Sequence, residues 1–271
     1  MKYLISVLVP TFNDYQGFLN VLNSYSKDRR VKIIVSDDSS NSLIKQSIKK
    51  KCKEKNIKYL DGPRSLPIEN WNILFEFIDT PFFVINHHDD YPNNLLFLDL
   101  LESKDLGLMI LPTTSKSQGK SAHKIYSWQQ KIFSKFCLFF PNATFNLFLS
   151  PTASLIVNSK ARDILFDANL KWFVDCDWYY RLVSEIKRNK LKIKFCSVSR
   201  IISVQAQNSI SSSISKTLKK QISLEKPFLY KKGLLPNIGI IFFQYLVLAL
   251  ILSYTKTKQI LFTNISFIFQ K

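Results

Sequence analysis

Three pairs of carboxylates supply residue types from which chemistry can be built: Asp37 with Asp38, Asp89 with Asp90, and Asp175 with Asp177. The second pair ends the apolar run in Pro81-Phe-Phe-Val-Ile-Asn-His-His-Asp-Asp-Tyr-Pro92. Residues 82–85 have the length and the β-branched and aromatic content of a strand buried on both faces. Asp89 and Asp90 then emerge at its carboxyl end, where open α/β sheets bind ligands. Adjacent acids repel each other, so such a tip needs a cation or a set of donors to offset the repulsion. A hard divalent metal carrying a phosphate is the simplest compensator. The plainer reading is an acidic turn, with Pro92 in the first turn of the next helix.

Asp37 and Asp38 close a second apolar run, residues 31–35, and make a second acidic strand tip. Asp175 and Asp177 lie in the aromatic stretch Trp172-Phe-Val-Asp-Cys-Asp-Trp-Tyr-Tyr-Arg-Leu182. On a helix they point about 200° apart, so only one can face a given pocket. Arg181 stands four residues after Asp177, which makes a surface ion pair the expected role of that acid. Asp175 has no such partner in sequence and is the better candidate for chemistry. Arg64 and Asn70 flank the start of a helix, and both that position and the Arg side chain suit phosphate; for Asn70 the alternative is helix capping. His87 and His88 suggest a transition-metal site on paper. Neighbours on a strand point to opposite faces, however, and phosphate-transfer sites prefer oxygen ligands.

The elements that must position these residues alternate strand and helix. Residues 3–9 form a first strand, broken by Pro10-Thr-Phe-Asn-Asp14, and Phe18, Leu19, Leu22 and Tyr25 give the next helix its apolar face. A strand at 31–35, a Lys-rich helix at about 42–55 and a short strand at 57–60 follow. A helix with the stripe Trp71, Leu74, Phe75 and Ile78 leads to the strand at 82–85. A helix over 92–102 and a strand over 106–111 complete this half. The pattern implies βαβ units, a mostly parallel sheet flanked by helices and an α/β fold. Residues 112–150 lack clear periodicity. Beyond them the pattern predicts a strand at 152–157 and a helix at 159–166.

The chain has 271 residues, enough for one large domain or one domain with an appendage. Its aromatic content of 14% is too rich for disorder, and its formal net charge of +18 implies an anionic partner or surface. Nucleic acid, a phosphorylated sugar and an acidic membrane face all satisfy that charge. The lysines at 42–55 read mainly as a solvated face, with anion or membrane contact as the alternative. The four cysteines lie far apart without a C-x-x-C pair, which suggests neither a zinc knuckle nor a disulfide framework and fits a reducing cytosol. Near the end, residues 237–254 are uncharged and almost continuously apolar, with Lys231, Lys232, Lys256 and Lys258 on either side. Such a helical, hydrophobic tail can span a bilayer, lie in its plane or dock on the protein; membrane contact is favoured over simple core.

With two acidic strand tips and Asp175 downstream, the chain resembles family 2 glycosyltransferases of the GT-A fold. Val7-Leu-Val-Pro-Thr-Phe-Asn13 looks like their opening strand and nucleotide loop, and Ile34-Val-Ser-Asp-Asp-Ser-Ser40 like their V-D-D-G-S motif. Asn70-Trp-Asn72 and the stretch from Asp79 to Asp90 resemble the segment leading into the metal-binding acids. Asp175, six residues before Arg181, sits where the family carries its E-D catalytic motif. Four motifs thus occur in the correct order over about residues 3–210.

The resemblance implies a GT-A, Rossmann-like architecture, with a nucleotide-binding half at 1–111 and an acceptor half at 112–210; the apolar run makes 211–271 a helical region expected to associate with a membrane. Pro10, Thr11, Phe12 and Asp38 would hold the base, with Asp38 accepting from uracil in a UDP-sugar. Asp89 would lie by the ribose and metal, and Asp90 would bind Mg2+ or Mn2+ bridging the diphosphate. Asp175 would be the general base of an inverting transfer. The expected partners are a nucleotide-sugar donor and a glycan or lipid-linked acceptor, as in bacterial surface polysaccharide or lipopolysaccharide synthesis. The expected location is the cytoplasmic face of the inner membrane, peripheral or tail-anchored. Three departures stand out. Ser39 replaces a Gly, Val174 stands where the family often has Glu, and Val204-Gln-Ala-Gln-Asn208 occupies the region of a late metal-ligand His. Two rival readings remain: a non-catalytic nucleotide-sugar-binding assembly protein of the same fold, and a basic nucleic-acid-binding protein. The second lacks a nucleic-acid-binding motif.

Overall fold

The computed structural model describes residues 3–103, 105–117, 131, 151–171, 173–205, 224–225 and 227–233. In chain order, β1 Ile5–Thr11, α1 Tyr15–Tyr25, β2 Val31–Asp37, α2 Ser42–Glu54, β3 Lys58–Asp61 and α3 Pro67–Asn72 come first. β4 Phe82–Ile85, β5 Asp90–Pro92, β6 Leu106–Ile110, β7 Thr113–Ser117 and β8 Leu155–Asn158 follow. α4 Val174–Arg188, β9 Lys192–Phe195 and β10 Ile201–Gln205 come last. The main sheet has seven strands in the order β3-β2-β1-β4-β8-β6-β9, and β5-β10-β7 form a second, smaller sheet. All neighbours in the main sheet run parallel except β8, which is antiparallel to both β4 and β6.

The sheet is buried on both faces, which is why its strands read as continuous apolar runs rather than alternating ones. Ile5, Val7 and Val9 of β1 pack with Phe18, Val21 and Leu22 of α1 and with Ile48 of α2 on one side. Leu8, Ile34 and Ile85 pack on the other side with Ile68 of α3 and with Trp178, Leu182 and Ile186 of α4. Local chemistry starts each early helix. Asp14 caps α1 by accepting the Gly17 N–H at 2.8 Å, and Asn41 caps α2 by accepting from Leu43 and Ile44. Pro10 fits in a central strand because β4 pairs with β1 only as far as Leu8, so its missing N–H interrupts no bond on that side.

Several expectations change. The helix expected at 92–102 is a 3-10 turn, Leu96–Leu100, because residues 90–92 are taken as strand β5 against β10. The strand expected at 152–157 begins as the 3-10 turn Thr152–Ser154 and becomes extended only in β8. The helix expected at 159–166 shrinks to Ser159–Ala161. Most of 112–150, the boundary at 210 and the apolar run 237–254 lie outside the described residues. Among the described residues, no helix is long and apolar enough to cross a membrane.

Candidate active site

Because β1, β2 and β4 run parallel, their carboxyl ends share one edge of the sheet, and β1 lies where the chain order reverses. Loops at such an edge form a crevice. At the β2 tip the two acids divide the work. Asp37 is fully buried, accepts the Ser39 N–H at 2.9 Å and the Tyr59 hydroxyl at 3.3 Å, and so holds the turn. Asp38 lines a cleft of about 640 Å³ together with Phe12, Ser39, Ser40, Lys45, Lys49 and Arg64.

One Asp38 oxygen accepts the Arg64 backbone N–H at 2.6 Å, and Arg64 adopts a left-handed φ of 54° to bring that N–H over. Gly62 makes this approach possible, since a Cβ there would sit 2.9 Å from the Asp38 Cα. Ser39 has no positive φ, so the turn does not need glycine; its hydroxyl instead accepts the Asn13 N–H at 2.8 Å.

Of the other residues expected around the base, Phe12 is 53% exposed at the cleft, whereas Thr11 is buried. Pro10 sits inside the sheet opposite Ser36. Asn70 neither caps a helix nor lines the cleft. It is buried, accepts the Ser36 hydroxyl at 2.6 Å and ties α3 to β2. The N-cap of α3 is Leu66, with Pro67 in the first turn, and the helix has only six residues.

At the β4 tip, residues 86–90 form a tight acidic turn whose hub is Asn86. This fully buried amide donates to the carbonyls of His87 at 2.9 Å and Asp90 at 2.6 Å, and accepts the Tyr25 hydroxyl at 3.0 Å. From the far side, the Val204 N–H of β10 donates to the Asp89 carbonyl at 2.9 Å, so the stretch that replaces the late His holds the turn by its backbone. Gly17 lets α1 come this close: a Cβ there would lie 2.6 Å from the His88 carbonyl oxygen. The histidines part company. His87 meets the Trp71 ring edge-on at 4.7 Å between centroids, and His88 lies 3.7 Å from Asp14. Burial lowers the His87 pKa to about 4, so its ring is neutral at physiological pH.

Asp90 is 3% exposed, and its buried Oδ1 has no hydrogen-bond partner. Burial, then the neighbouring Asp89 charge, and after the Ser203 hydroxyl the charge of Asp175, hold its carboxyl well above the usual range. Only the Ser203 hydrogen bond opposes this. A buried, unsatisfied carboxylate beside a second acid is costly unless something binds there. The donor set of two carboxylate oxygens fits a hard cation such as Mg2+ or Mn2+, which takes further oxygens from phosphate and water. Among the described residues no group of three or more His, Cys, Asp or Glu side chains converges as a complete metal cage.

Asp175 lies in the first turn of α4, half-buried, with its Oδ1 buried and unpartnered. Burial raises its pKa to about 6. Asp177, expected to form a surface pair, is instead fully buried. It accepts from the Arg181 guanidinium at 2.6 and 2.8 Å and from Lys232 Nζ at 2.8 Å, while Lys232 also reaches Asp167 at 2.6 Å. The two acids do diverge on the helix, one into a network and one without a partner. Sequence reasoning missed Asn86, Gly17, Ser203 and Lys232. A polar residue at the end of an apolar strand was the available signal for Asn86, and nothing local marked Lys232.

A family model described as glycosyl transferase family 2 matches residues 6–159. No curated protein sequence matches the chain. Among solved structures, S. aureus TarS 1–349 in complex with UDP-GlcNAc aligns with a TM-score of 0.55 and 17% identity. That alignment covers 83% of this chain and 64% of that one. The same protein in complex with UDP gives 0.55 and 18%, covering 76% and 61%. The mannosyltransferase PcManGT from Pyrobaculum calidifontis, in complex with GDP-Man and Mn2+, gives 0.50 and 11%, covering 86% and 70%. At these identities the likeness is one of fold, and the chain spans less than two thirds of the length of TarS 1–349.

Proposed function

Because the chain belongs to glycosyl transferase family 2, we propose that it transfers a sugar from a nucleoside diphosphate sugar, a UDP-sugar by our reading, to a hydroxyl acceptor with inversion. The observation that carries this reading is the buried, unpartnered Oδ1 of Asp90, set beside Asp89 at the β4 tip and within the electrostatic reach of Asp175. The base cleft lies at the adjoining β1 and β2 tips. There Asp38 and Phe12 supply an acceptor and an apolar face for a base, and Arg64 supplies positive charge together with Lys45 and Lys49, which face Asp61 of the same cleft at 3.2 and 3.7 Å.

The transfer breaks the bond between the anomeric carbon and the diphosphate oxygen and forms a bond from that carbon to the acceptor oxygen. Asp175 takes the acceptor proton as the new bond forms, and the nucleoside diphosphate leaves on the opposite side, so configuration inverts. A base with a pKa near 6 is ionised at neutral pH yet basic enough to accept a proton in the transition state. Asp89 and Asp90 would hold a Mg2+ or Mn2+ ion, which when bound neutralises charge developing on the leaving diphosphate. Asn86, Ser203 and Val204 fix the turn that carries these acids, so the donor site is preorganised by the two sheets.

The acceptor we favour is lipid-linked, on the cytoplasmic face of a bacterial membrane. Supporting it are the net charge of +18, the apolar run at 237–254, and a surface at 224–233 where Leu224, Phe228 and Tyr230 are exposed beside Lys231. The test is thermal stabilisation by UDP with and without Mn2+, followed by mass spectrometry of products from UDP-GlcNAc and GDP-Man. Saturating UDP and Mn2+ should raise Tm on the order of 5 °C, and sugar release should follow. Binding without release would make the protein a nucleotide-sugar-binding scaffold. Salt-sensitive RNA binding in place of UDP binding would overturn the reading altogether.

A further inference from the structure

The amino end of α4 is capped from a distant part of the chain. Phe173 provides no side-chain cap for the helix it precedes. The cap comes from Glu225, 2% exposed, whose Oε1 accepts the Lys171 N–H at 2.8 Å and whose Oε2 accepts the Phe173 N–H at 3.1 Å. A carboxylate at a helix amino terminus satisfies N–H groups that the helix leaves unpaired and interacts favourably with its dipole. Seven residues on, Lys232 binds Asp177 and Asp167, and between the two anchors Leu229 is buried in the core formed with α4. Residues 224–225 and 227–233 therefore hold α4 at two polar points, the chain entering its first turn and Asp177 at that turn's end, and at one apolar point.

Asp175 lies within that turn, two residues after Phe173, and its buried Oδ1 has no partner of its own. The direction of its carboxylate is consequently set by the backbone that Glu225 and Lys232 hold. We propose that Glu225, with Lys232, is a positioning residue for the acceptor base Asp175. The proposal rests on the function assigned above, because it presupposes that Asp175 removes the acceptor proton. It adds that the base is completed only by chain lying beyond the nucleotide-binding motifs. A misplacement of the reacting groups by about 1 Å costs on the order of 100-fold in rate, which sets the scale.

The test uses the full chain with UDP-GlcNAc and Mn2+ as probe, water serving as acceptor. Glu225→Ala should slow UDP release by about 10- to 100-fold while the donor KM and the affinity for UDP stay within about twofold. Glu225→Gln, which keeps the shape and one acceptor oxygen, should recover most of the rate. In an Asp175→Asn background, Glu225→Ala should cost nothing further, since the two residues act through one group. A Glu225 loss that persists in that background would overturn the proposal. So would a common fall in rate and UDP-binding capacity, or unfolding of both Glu225 variants, because each marks a role confined to holding the fold.

Failure of the donor reading shows differently: the wild-type chain would release no UDP. In that case amide hydrogen exchange decides. Faster exchange confined to residues 171–177 in Glu225→Ala, without loss of global protection, supports the grip on the base-bearing turn, and unchanged exchange overturns it.

Discussion

The Asn86 carboxamide donates to the Asp90 carbonyl oxygen at 2.6 Å, so one buried side chain holds the inner side of the acidic turn at the end of β4. Replacing Asn86 with Ala strands the Tyr25 hydroxyl and the Asp90 carbonyl at once and leaves the His87 carbonyl only the Asp90 N–H. The expected cost is on the order of 3 kcal/mol in urea denaturation. Mn2+-dependent UDP affinity should weaken further than UDP affinity in EDTA.

Asp38→Ala and Asp90→Ala should both weaken nucleotide binding by separable routes. The first acts at the base cleft and should lower UDP affinity equally with and without Mn2+. The second acts through the cation and should matter little once EDTA is present. Calorimetric titration under both conditions checks this, and equal losses for both variants in both conditions would refute the division.

The raised pKa of Asp175 gives two opposite pH signatures. Ionisation is needed for proton removal, so kcat/KM for UDP release should fall as pH drops through about 6. For stability the sign reverses. Between the ordinary 3.8 and about 6 the unfolded chain has lost this proton while the folded chain keeps it, so the Asp175 contribution weakens as pH rises across that window and then levels. Asp175→Asn should slow transfer by about 10²- to 10⁴-fold, leaving a measurable residual rate, and remove that slope from the Tm-versus-pH curve, with UDP affinity unchanged.

Asp177→Asn tests the neighbouring acid. Its carboxylate is fully buried, but Arg181 and Lys232 are each about 30% exposed and can reach water when the charge is removed. The expected loss is therefore about 2 kcal/mol rather than the larger penalty of a sealed pair. Rate should fall far less than in Asp175→Asn when both are assayed well below their Tm.

Truncation tests whether the proposed membrane attachment is separable from catalysis. A chain ending at Gly233 retains Glu225, Leu229 and Lys232 and should keep UDP release while moving from the membrane fraction to the soluble one. A chain ending at residue 210 loses all three anchors of α4 and should lose both stability and release. An unfolded chain from the first truncation would show that the apolar run 237–254 is part of the core.

The strands and helices of residues 1–111 were largely legible in the sequence. A parallel sheet buried on both faces writes itself as consecutive apolar runs, and Asp38 and the Asp89-Asp90 pair fall at their ends for that reason. The chain beyond residue 111 was harder to read. The run at 152–157 does not distinguish an antiparallel β8 from a parallel strand, and residues 90–92 join a second sheet whose other strands lie far away in sequence. Asp177 looked like an ordinary partner of Arg181 because the i,i+4 spacing says nothing about burial, and its second partner is 55 residues distant. Asn70 carried the right residue type at a helix start, yet its amide is consumed by Ser36.

The distance along the chain between α4 and its cap also bears on the order in which the protein acquires structure. β1 and β2 pair across 26 residues, as does the Asn13–Ser39 tether, whereas Glu225 closes a loop of 52 to Phe173 and the Tyr25–Asn86 bond one of 61. Longer closures cost more chain entropy, and during synthesis the anchors of α4 leave the ribosome after the strand tips that carry Asp38, Asp89 and Asp90. The nascent chain should thus pair β1 with β2 early and fix the turn that carries Asp175 late. Pulsed hydrogen exchange during refolding should find β1 and β2 amides protected before those of residues 171–177.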